Sequence, residues 1–373
     1  METVKLGLLI KKTKVARCGE HSYPVLSITK QNGIIMQSEK FKKRIASADT
    51  SDYKIIPRGK LVQGIHIDEG NFGIQDIVDN GIVSPAYGVW DVNDGLVIPK
   101  YLEMVLRSPK SIEFYRSKLT GTVNRRGHMS DTDFLSMDIP LPDRDTQSEI
   151  LKTMKQTTSI LSFRQQQLTK LDELIKARFG ELFDGKYPED TLLNLCNIID
   201  YRGKTPEKVE SGLPFITAKN VKMHHMTLEP REYISKETYD KVMVRGFPKE
   251  GDVVFTTEAP LGNVCKIPHF DTEFYIGQRI VTMQTDTLNP TYLEYALSND
   301  EFVRKYMGKS SGSTVTGIRV RLLEQLTIPV PPRALQDEFS IFANQVDKSK
   351  SAVQKSLDET QVLFDSLMQK YFG

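Results

Sequence analysis

The sequence predicts an α+β fold in which two tandem-repeated globular domains are separated by two long antiparallel, coiled-coil helices. Three observations carry this. A residue pattern recurs at a constant offset of 189 positions, two stretches (144–179 and 333–372) contain neither Gly nor Pro, and the remaining stretches alternate short β-type runs with Gly/Pro/Asn/Asp turns.

The repeat is clearest downstream. Ile139-Pro140-Leu141-Pro142 matches Ile328-Pro329-Val330-Pro331, then Gln147 matches Gln336, Glu149 matches Glu338, and Phe183 matches Phe372. Upstream the match continues with small gaps. Tyr101-Leu102-Glu103 corresponds to Tyr292-Leu293-Glu294, each shortly after a proline, Pro99 or Pro290. Gly121-Thr122-Val123 corresponds to Ser313-Thr314-Val315, and Pro57 and Gly59 before Leu61-Val62 correspond to Pro248 and Gly251 before Val253-Val254. Pro24-Val25-Leu26-Ser27 corresponds to Pro214-Phe215-Ile216-Thr217. The predicted organisation is a first globular domain over 1–142, a long helix over 143–185, a second globular domain over 186–331 and a second long helix over 332–373.

Each globular domain mixes β-type runs, such as 253–257 and 276–283, with a helix at each Tyr-Leu-Glu, which is an α+β pattern. The first long helix is expected to open on a capping box at Asp145 or Thr146 with Glu149, and Pro332 suits the first position of the second. In the first helix Met154, Leu161, Leu168, Ile175 and Leu182 repeat every seven residues beside Ile150, Thr157, Arg164, Leu171 and Arg178. The second repeats Ala343, Lys350, Leu357, Phe364 and Tyr371 beside Phe339, Val346, Val353, Thr360 and Leu367. Neither seam is apolar enough for a self-sufficient zipper, but Thr157, Arg164 and Arg178 have the apolar equivalents Val346, Val353 and Leu367. The helices are therefore expected to pack on each other within the chain, leaving outer faces for another protein. At 1.5 Å per residue each would run about 60 Å, too long for an ordinary core helix of a small domain. An internal two-fold axis would then place the two heads at opposite ends of a spacer, able to read a split, asymmetric sequence on a duplex.

Composition bounds the function class. With 373 residues, 39% hydrophobic and 26% charged, the chain reads as an ordinary globular protein of two or three domains, and disorder and fibrous repeats are excluded. No apolar run approaches the ~20 residues of a membrane span, and Lys11, Lys12, Lys14 and Arg17 end the first apolar stretch before a signal peptide can form, so a cytoplasmic location is expected. Cys18, Cys196 and Cys265 are odd in number and widely spaced, against a disulfide framework or zinc. The net charge of +2 divides into +4 for residues 1–185 (27 basic, 23 acidic) and −2 for 186–373 (23 basic, 25 acidic). A chain this neutral is expected to bind nucleic acid weakly on its own near physiological salt.

The doubled junction now has a counterpart. A Gly/Ser-Thr loop, Ile-Pro-hydrophobic-Pro, then Gln and an acidic residue opening a long helix occurs over 121–149 and again over 313–338. With this pattern along its whole length, the chain resembles the specificity (S) subunits of type I restriction–modification systems. The resemblance implies two target recognition domains, each reading one half of a bipartite site on double-stranded DNA. It also implies a spacer of long helices docking two modification (methyltransferase) subunits, which methylate adenine N6 by base flipping. A restriction (motor–nuclease) subunit would join for ATP-dependent cleavage. No cofactor is expected in this chain; S-adenosylmethionine, ATP and Mg belong to the partner subunits. The resemblance departs at the N-terminus, where little precedes the first domain, so no N-terminal docking extension is expected.

Catalytic motifs fail on inspection. Asn289-Pro290-Thr291-Tyr292 approaches the Pro-Pro-aromatic motif of adenine methyltransferases but lacks the second proline, and its repeat equivalent Ile98-Pro99-Lys100-Tyr101 marks it as a helix start. Gly308-Lys309-Ser310 resembles the end of a phosphate-binding loop, but the required upstream Gly is Val303. His224 and His225 are expected at the surface, pointing apart on a strand, and not on a metal. The chain is read as non-catalytic.

Base readout needs paired donors and acceptors, and phosphate anchoring needs Arg, Lys and hydroxyls. The acid-free loop 120–128 offers Thr122, Asn124, Arg125 and Arg126, and its equivalent 309–319 offers Ser313, Thr314, Thr316 and Arg319. Further candidates are Gln278-Arg279 in a β-type run, Lys219-Asn220, and Lys30-Gln31-Asn32 after the matching Pro-hydrophobic strands. The cluster Lys40, Lys42, Lys43 and Arg44 reads as a solvated face able to track phosphates. Two rivals stand beside DNA recognition. One is a coiled-coil scaffold binding proteins only, favoured if targeting survives Arg125→Ala, Arg126→Ala and Arg319→Ala. The other is a self-contained methyltransferase or nuclease.

Overall fold

The computed structural model describes residues 2–30, 32–40, 49–119, 129–203, 206–312 and 316–373. It forms two compact units, Met1–Gln165 with Lys355–Gly373, and Gln166–Gln354. Each unit contains one α+β head and half of each long helix, Arg144–Phe183 and Arg333–Phe372.

In the first unit, Thr3–Lys5 pairs antiparallel with Asp138–Pro140, so the two chain ends of the head are joined. The main sheet contains β1 (Ile10–Lys12), β2 (Leu61–Gln63), β3 (Phe72–Ile74) and β4 (Gly88–Val92), in the order β1-β4-β2-β3. Side chains alternate across a strand, and here both faces are covered. Leu61, Phe72, Ile74 and Trp90 enter the large core under the helices, whereas Val62 and Val89 join Leu26, Ile34, Ile56 and Val83 in a smaller core. That double burial explains why these strands read as apolar runs.

Helix α1 (Pro99–Leu106) closes the large core with Tyr101, Leu102, Val105 and Leu106, and begins on a proline that has no N–H to leave unsatisfied. The Tyr101 hydroxyl donates to the Pro140 carbonyl at 2.9 Å. Buried Gln147 accepts from the Ile98 amide at 2.8 Å and donates to the Pro142 carbonyl at 2.9 Å, fixing the long helix to the head.

The second unit repeats this. Glu189–Thr191 pairs with Thr327–Pro329, and β5 (Asn197–Asp200), β6 (Val253–Thr256), β7 (Val264–Lys266) and β8 (Ile280–Gln284) run in the matching order β5-β8-β6-β7. Val253 and Phe255 face the large core, while Val254 faces a second one with Cys265 and Ile280. On α2 (Pro290–Ser298), the Tyr292 hydroxyl donates to the Pro329 carbonyl at 2.8 Å. Gln336 accepts from the Asn289 amide and donates to the Pro331 carbonyl, both at 2.8 Å. The methyltransferase-like Asn289 is the cap of α2, accepting from the Thr291 amide at 2.9 Å.

Within the second unit the long helices run antiparallel. Asp172 pairs with Lys350 at 2.6 Å and Arg178 with Glu338 at 2.9 Å, so later residues of one meet earlier residues of the other. Ile175, Phe179 and Phe183 pack there with Phe339, Ala343 and Val346. In the first unit Ile150 and Met154 meet Phe364, Leu367, Met368, Tyr371 and Phe372.

Several expectations are corrected. Asp143, not Asp145 or Thr146, caps the first long helix, because its carboxylate accepts from both the amide and the hydroxyl of Thr146 at 2.8 Å. The second long helix starts at Arg333, with Pro332 one position before it. The predicted strand over 276–283 is two strands, Tyr275–Ile276 and Ile280–Gln284, separated by a turn in which the Ile280 amide donates to the Gly277 carbonyl at 3.1 Å. His224 is no strand residue. Its φ of 62° makes it the turn of a hairpin, where it stacks on Tyr295 at 4.3 Å and meets the buried Glu294 carboxylate at 3.0 Å.

The cap predicts a pH dependence. Hydrogen bonds from Thr146 hold the Asp143 carboxyl below its ordinary value of 3.8, and Asn289 and Arg333 do the same for Asp337. A lowered carboxyl stabilises the fold above its unfolded value and loses that contribution as pH falls through the lowered one. Amide exchange in the first turns of both long helices is therefore expected to speed up as pH falls below 3.8, after correction for intrinsic rates. Asp143→Asn should blunt the change in the first helix alone.

Candidate nucleic-acid interface

In the second unit, β6 ends at Thr256, and the next residue, Thr257, is 3% exposed and organises the loops around it. Its amide and hydroxyl donate to the Arg279 carbonyl at 2.9 and 3.2 Å. Its carbonyl accepts the Ile318 amide at 2.9 Å. Next to it, Gly317 bridges to Glu258 and exchanges two backbone bonds with Ser311 at 3.0 and 3.1 Å. Gly317 eases this close approach: a Cβ there would lie 3.1 Å from the Glu258 Cβ and 3.2 Å from the Thr257 carbonyl oxygen, a tight fit.

This brings together two candidates far apart in sequence, Gln278-Arg279 and the loop carrying Thr316 and Arg319. Arg279, Thr316 and Arg319 are exposed, and Gln278 is half-buried. Arg319 opens the short helix Val320–Leu323. The Arg279 guanidinium Nε lies 2.9 Å from Glu258 Oε1, an ion pair with both side chains roughly half exposed.

A second tie brings the 217–221 loop to the same end of the sheet, since the Asn263 side chain donates to the Val221 carbonyl at 2.8 Å. Lys219 on that loop is exposed. Asn220 is a correction: at 1% exposure its side chain accepts from the amide and hydroxyl of Thr217 at 2.9 Å and donates to the Thr227 and Pro230 carbonyls at 3.1 Å. It holds the loop shut and has no donor left to offer a base.

In the first unit, Lys30 and Asn32 are exposed in the turn between Leu26–Thr29 and Gly33–Met36. The Asn32 amide donates to the Thr29 hydroxyl at 3.1 Å, and Gly33 supplies the φ of 64°. The turn is held from below: Arg107 donates to the Lys30 carbonyl at 2.6 Å and pairs with Glu103, 6% exposed, at 3.1 Å. Glu103 and Glu294 thus hold hairpins in their own units through different partners, Arg107 and His224. Gln31, Thr122, Asn124, Arg125, Arg126, Ser313 and Thr314 lie outside the described residues, as do Lys42, Lys43 and Arg44.

All three cysteines are buried, and burial pushes the Cys196 and Cys265 thiols up to about 12. Among the described residues no cluster of His, Cys, Asp and Glu suits a metal ion, and no helix is long and apolar enough to cross a membrane. Sequence reasoning missed Thr257, Glu258 and Gly317. Their ladder contacts join segments dozens of residues apart, and only the Gly in an otherwise polar loop hinted at a close backbone approach.

No family model matches the chain. Among curated proteins it is similar to the type I restriction enzyme MjaVIII specificity subunit of Methanocaldococcus jannaschii, 22% identical over 326 residues that cover 78% of this chain and 74% of that protein. It is also similar to the putative type I restriction enzyme MjaX specificity subunit of the same organism, 22% identical over 394 residues, covering 95% and 88%. Two solved structures share the fold from end to end. One is a chain of a type I R-M system described for its complex assembly and conformational transition, with a TM-score of 0.60 at 19% identity, covering 100% of this chain and 97% of that one. The other is the type I restriction-modification S subunit from M. genitalium, with a TM-score of 0.57 at 14% identity, covering 100% and 96%. With a duplicated head-and-helix architecture shared with that S subunit, and specificity subunits among its sequence relatives, the chain is similar to type I restriction–modification specificity subunits in both sequence and fold.

Proposed function

We propose that the chain is the DNA sequence-recognition subunit of a type I restriction–modification complex. Each head reads one half of a bipartite, asymmetric site on double-stranded DNA. The long helices dock two modification subunits that methylate adenine N6, and a restriction subunit adds ATP-dependent cleavage. The chain itself performs no chemistry; S-adenosylmethionine, ATP and Mg act in the partner subunits.

One observation carries this reading: identical scaffolds bearing unequal tips. The Tyr–Pro and Gln–backbone bonds recur in both heads within 0.1 Å. The tip contacts differ, Arg107 under one hairpin and His224 at the other. An asymmetric split site needs such a pair, since a symmetric pair of surfaces reads a palindrome. Partner docking is supported by apolar side chains left in solvent on the long helices, Phe163 and Val362 in the first unit and Leu174 and Ile341 in the second.

Methyl transfer from labelled S-adenosylmethionine to genomic DNA tests the assignment. Transfer is expected only when this chain and a modification subunit are mixed, and from neither alone at a specific site. Methylation by this chain alone would contradict the proposal in favour of a self-contained enzyme.

A further inference from the structure

We infer that Arg279 and Glu258 act as one base-reading unit, with Arg279 addressing a guanine in the half-site of the second head. The inference rests on the DNA-recognition reading above and assigns a role within it.

The backbone around the pair is fixed from several sides. Thr257 holds the Arg279 carbonyl through two bonds and receives the Ile318 amide, and Gly317 lies against Glu258. The side chains themselves reach solvent, 51% exposed for Arg279 and 44% for Glu258. A rigid base under an exposed guanidinium is what directional readout requires and what a phosphate contact does not need.

The charge pattern separates the two uses. An arginine that grips a phosphate works by its net charge, and a carboxylate 2.9 Å away cancels that charge and repels the phosphate. An exposed ion pair of this kind adds little to stability, so folding alone gives little reason for it. For a base the same carboxylate is useful. The contact is made through Nε, so the guanidinium can present its terminal Nη1 and Nη2 to a base. Those paired donors match O6 and N7 of guanine in the major groove. Glu258 can in turn accept from the N4 amino group of a cytosine, so the donors of Arg279 and the acceptor of Glu258 complement the two acceptors and one donor that a G·C pair displays.

The test is the N6-methyladenine map of cells carrying Arg279→Lys, Arg279→Ala or Glu258→Gln in place of the wild-type gene. Both arginine variants are expected to keep the split motif and its gap while losing guanine preference at a single position of one half-site. The loss in relative methylation should be roughly tenfold to a hundredfold, the size of one bidentate contact. Glu258→Gln should relax the same position to a smaller extent. Arg279→Lys retains the charge and stem, so it reports on readout even where the alanine variant fails to fold. A motif with every position intact overturns the inference, whether methylation is unchanged or uniformly weaker; uniform weakening is the behaviour of a phosphate contact. A wild-type map without any split motif would instead remove the DNA-recognition reading itself, so the two failures are distinguishable.

Discussion

Replacing Phe339 by alanine is expected to lower the stability of the second unit by about 3–5 kcal/mol, the usual effect of emptying a buried aromatic site. Phe339 is 0% exposed, and its ring centre lies 5.4 Å from Phe179, 5.6 Å from Phe183 and 5.4 Å from Tyr295. Three of these four rings come from the long helices and one from α2, so the site joins helix pair and head in a single core. The Tyr295 hydroxyl is tied to the Asp347 carboxylate at 3.2 Å, which limits collapse of that ring into the space. Hydrogen exchange over 333–346 and 171–183 should accelerate strongly. The single tryptophan, Trp90, belongs to the first unit, so its fluorescence provides a separate record of that unit. Phe339→Leu should recover much of the loss. An unchanged exchange pattern in Phe339→Ala would mean that the helix pair does not depend on this core.

Gln336→Ala is the second large effect, about 2–6 kcal/mol. The side chain is 1% exposed and satisfies two backbone groups, the Asn289 amide and the Pro331 carbonyl. Each becomes an unsatisfied buried polar group when the amide is removed, at about 1–3 kcal/mol apiece. Proline cannot shift the pattern by offering an N–H at 331 or 332, so the strand-to-helix junction has no local substitute. Gln336→Glu keeps the acceptor for Asn289 but places a second acceptor against the Pro331 carbonyl, and it should destabilise at neutral pH and recover partly on acidification. Gln147→Ala makes the equivalent change in the first unit. Thermal unfolding of both single variants checks the claim; losses confined to a few tenths of a kcal/mol would show that water replaces the side chain.

The same glutamines show what was legible in the sequence. Gln147 and Gln336 stood out because they repeat at the common offset, and the offset arises because both heads need the same clasp. The long helices were readable from missing Gly and Pro and from the seven-residue rhythm. Phe179, Phe183 and Phe372 fall off that rhythm, because at those ends the helices turn their side faces into the heads and no longer only toward each other. The tips were far less legible. His224 looks like a surface histidine until the turn carries it onto Tyr295, and Asn220 looks like a base reader until the loop closes over it. Arg279 and Glu258 lie 21 positions apart, and strand pairing, which no local period reveals, brings them together.

The role proposed for this chain is to choose the DNA sequence for a methylating complex. Its most direct test is a genome-wide map of N6-methyladenine in cells with and without the gene. One split, asymmetric motif with a fixed gap, and no other, is expected to disappear. A map that is unchanged in cells where the partner subunits are expressed would contradict it and favour a scaffold that binds only proteins.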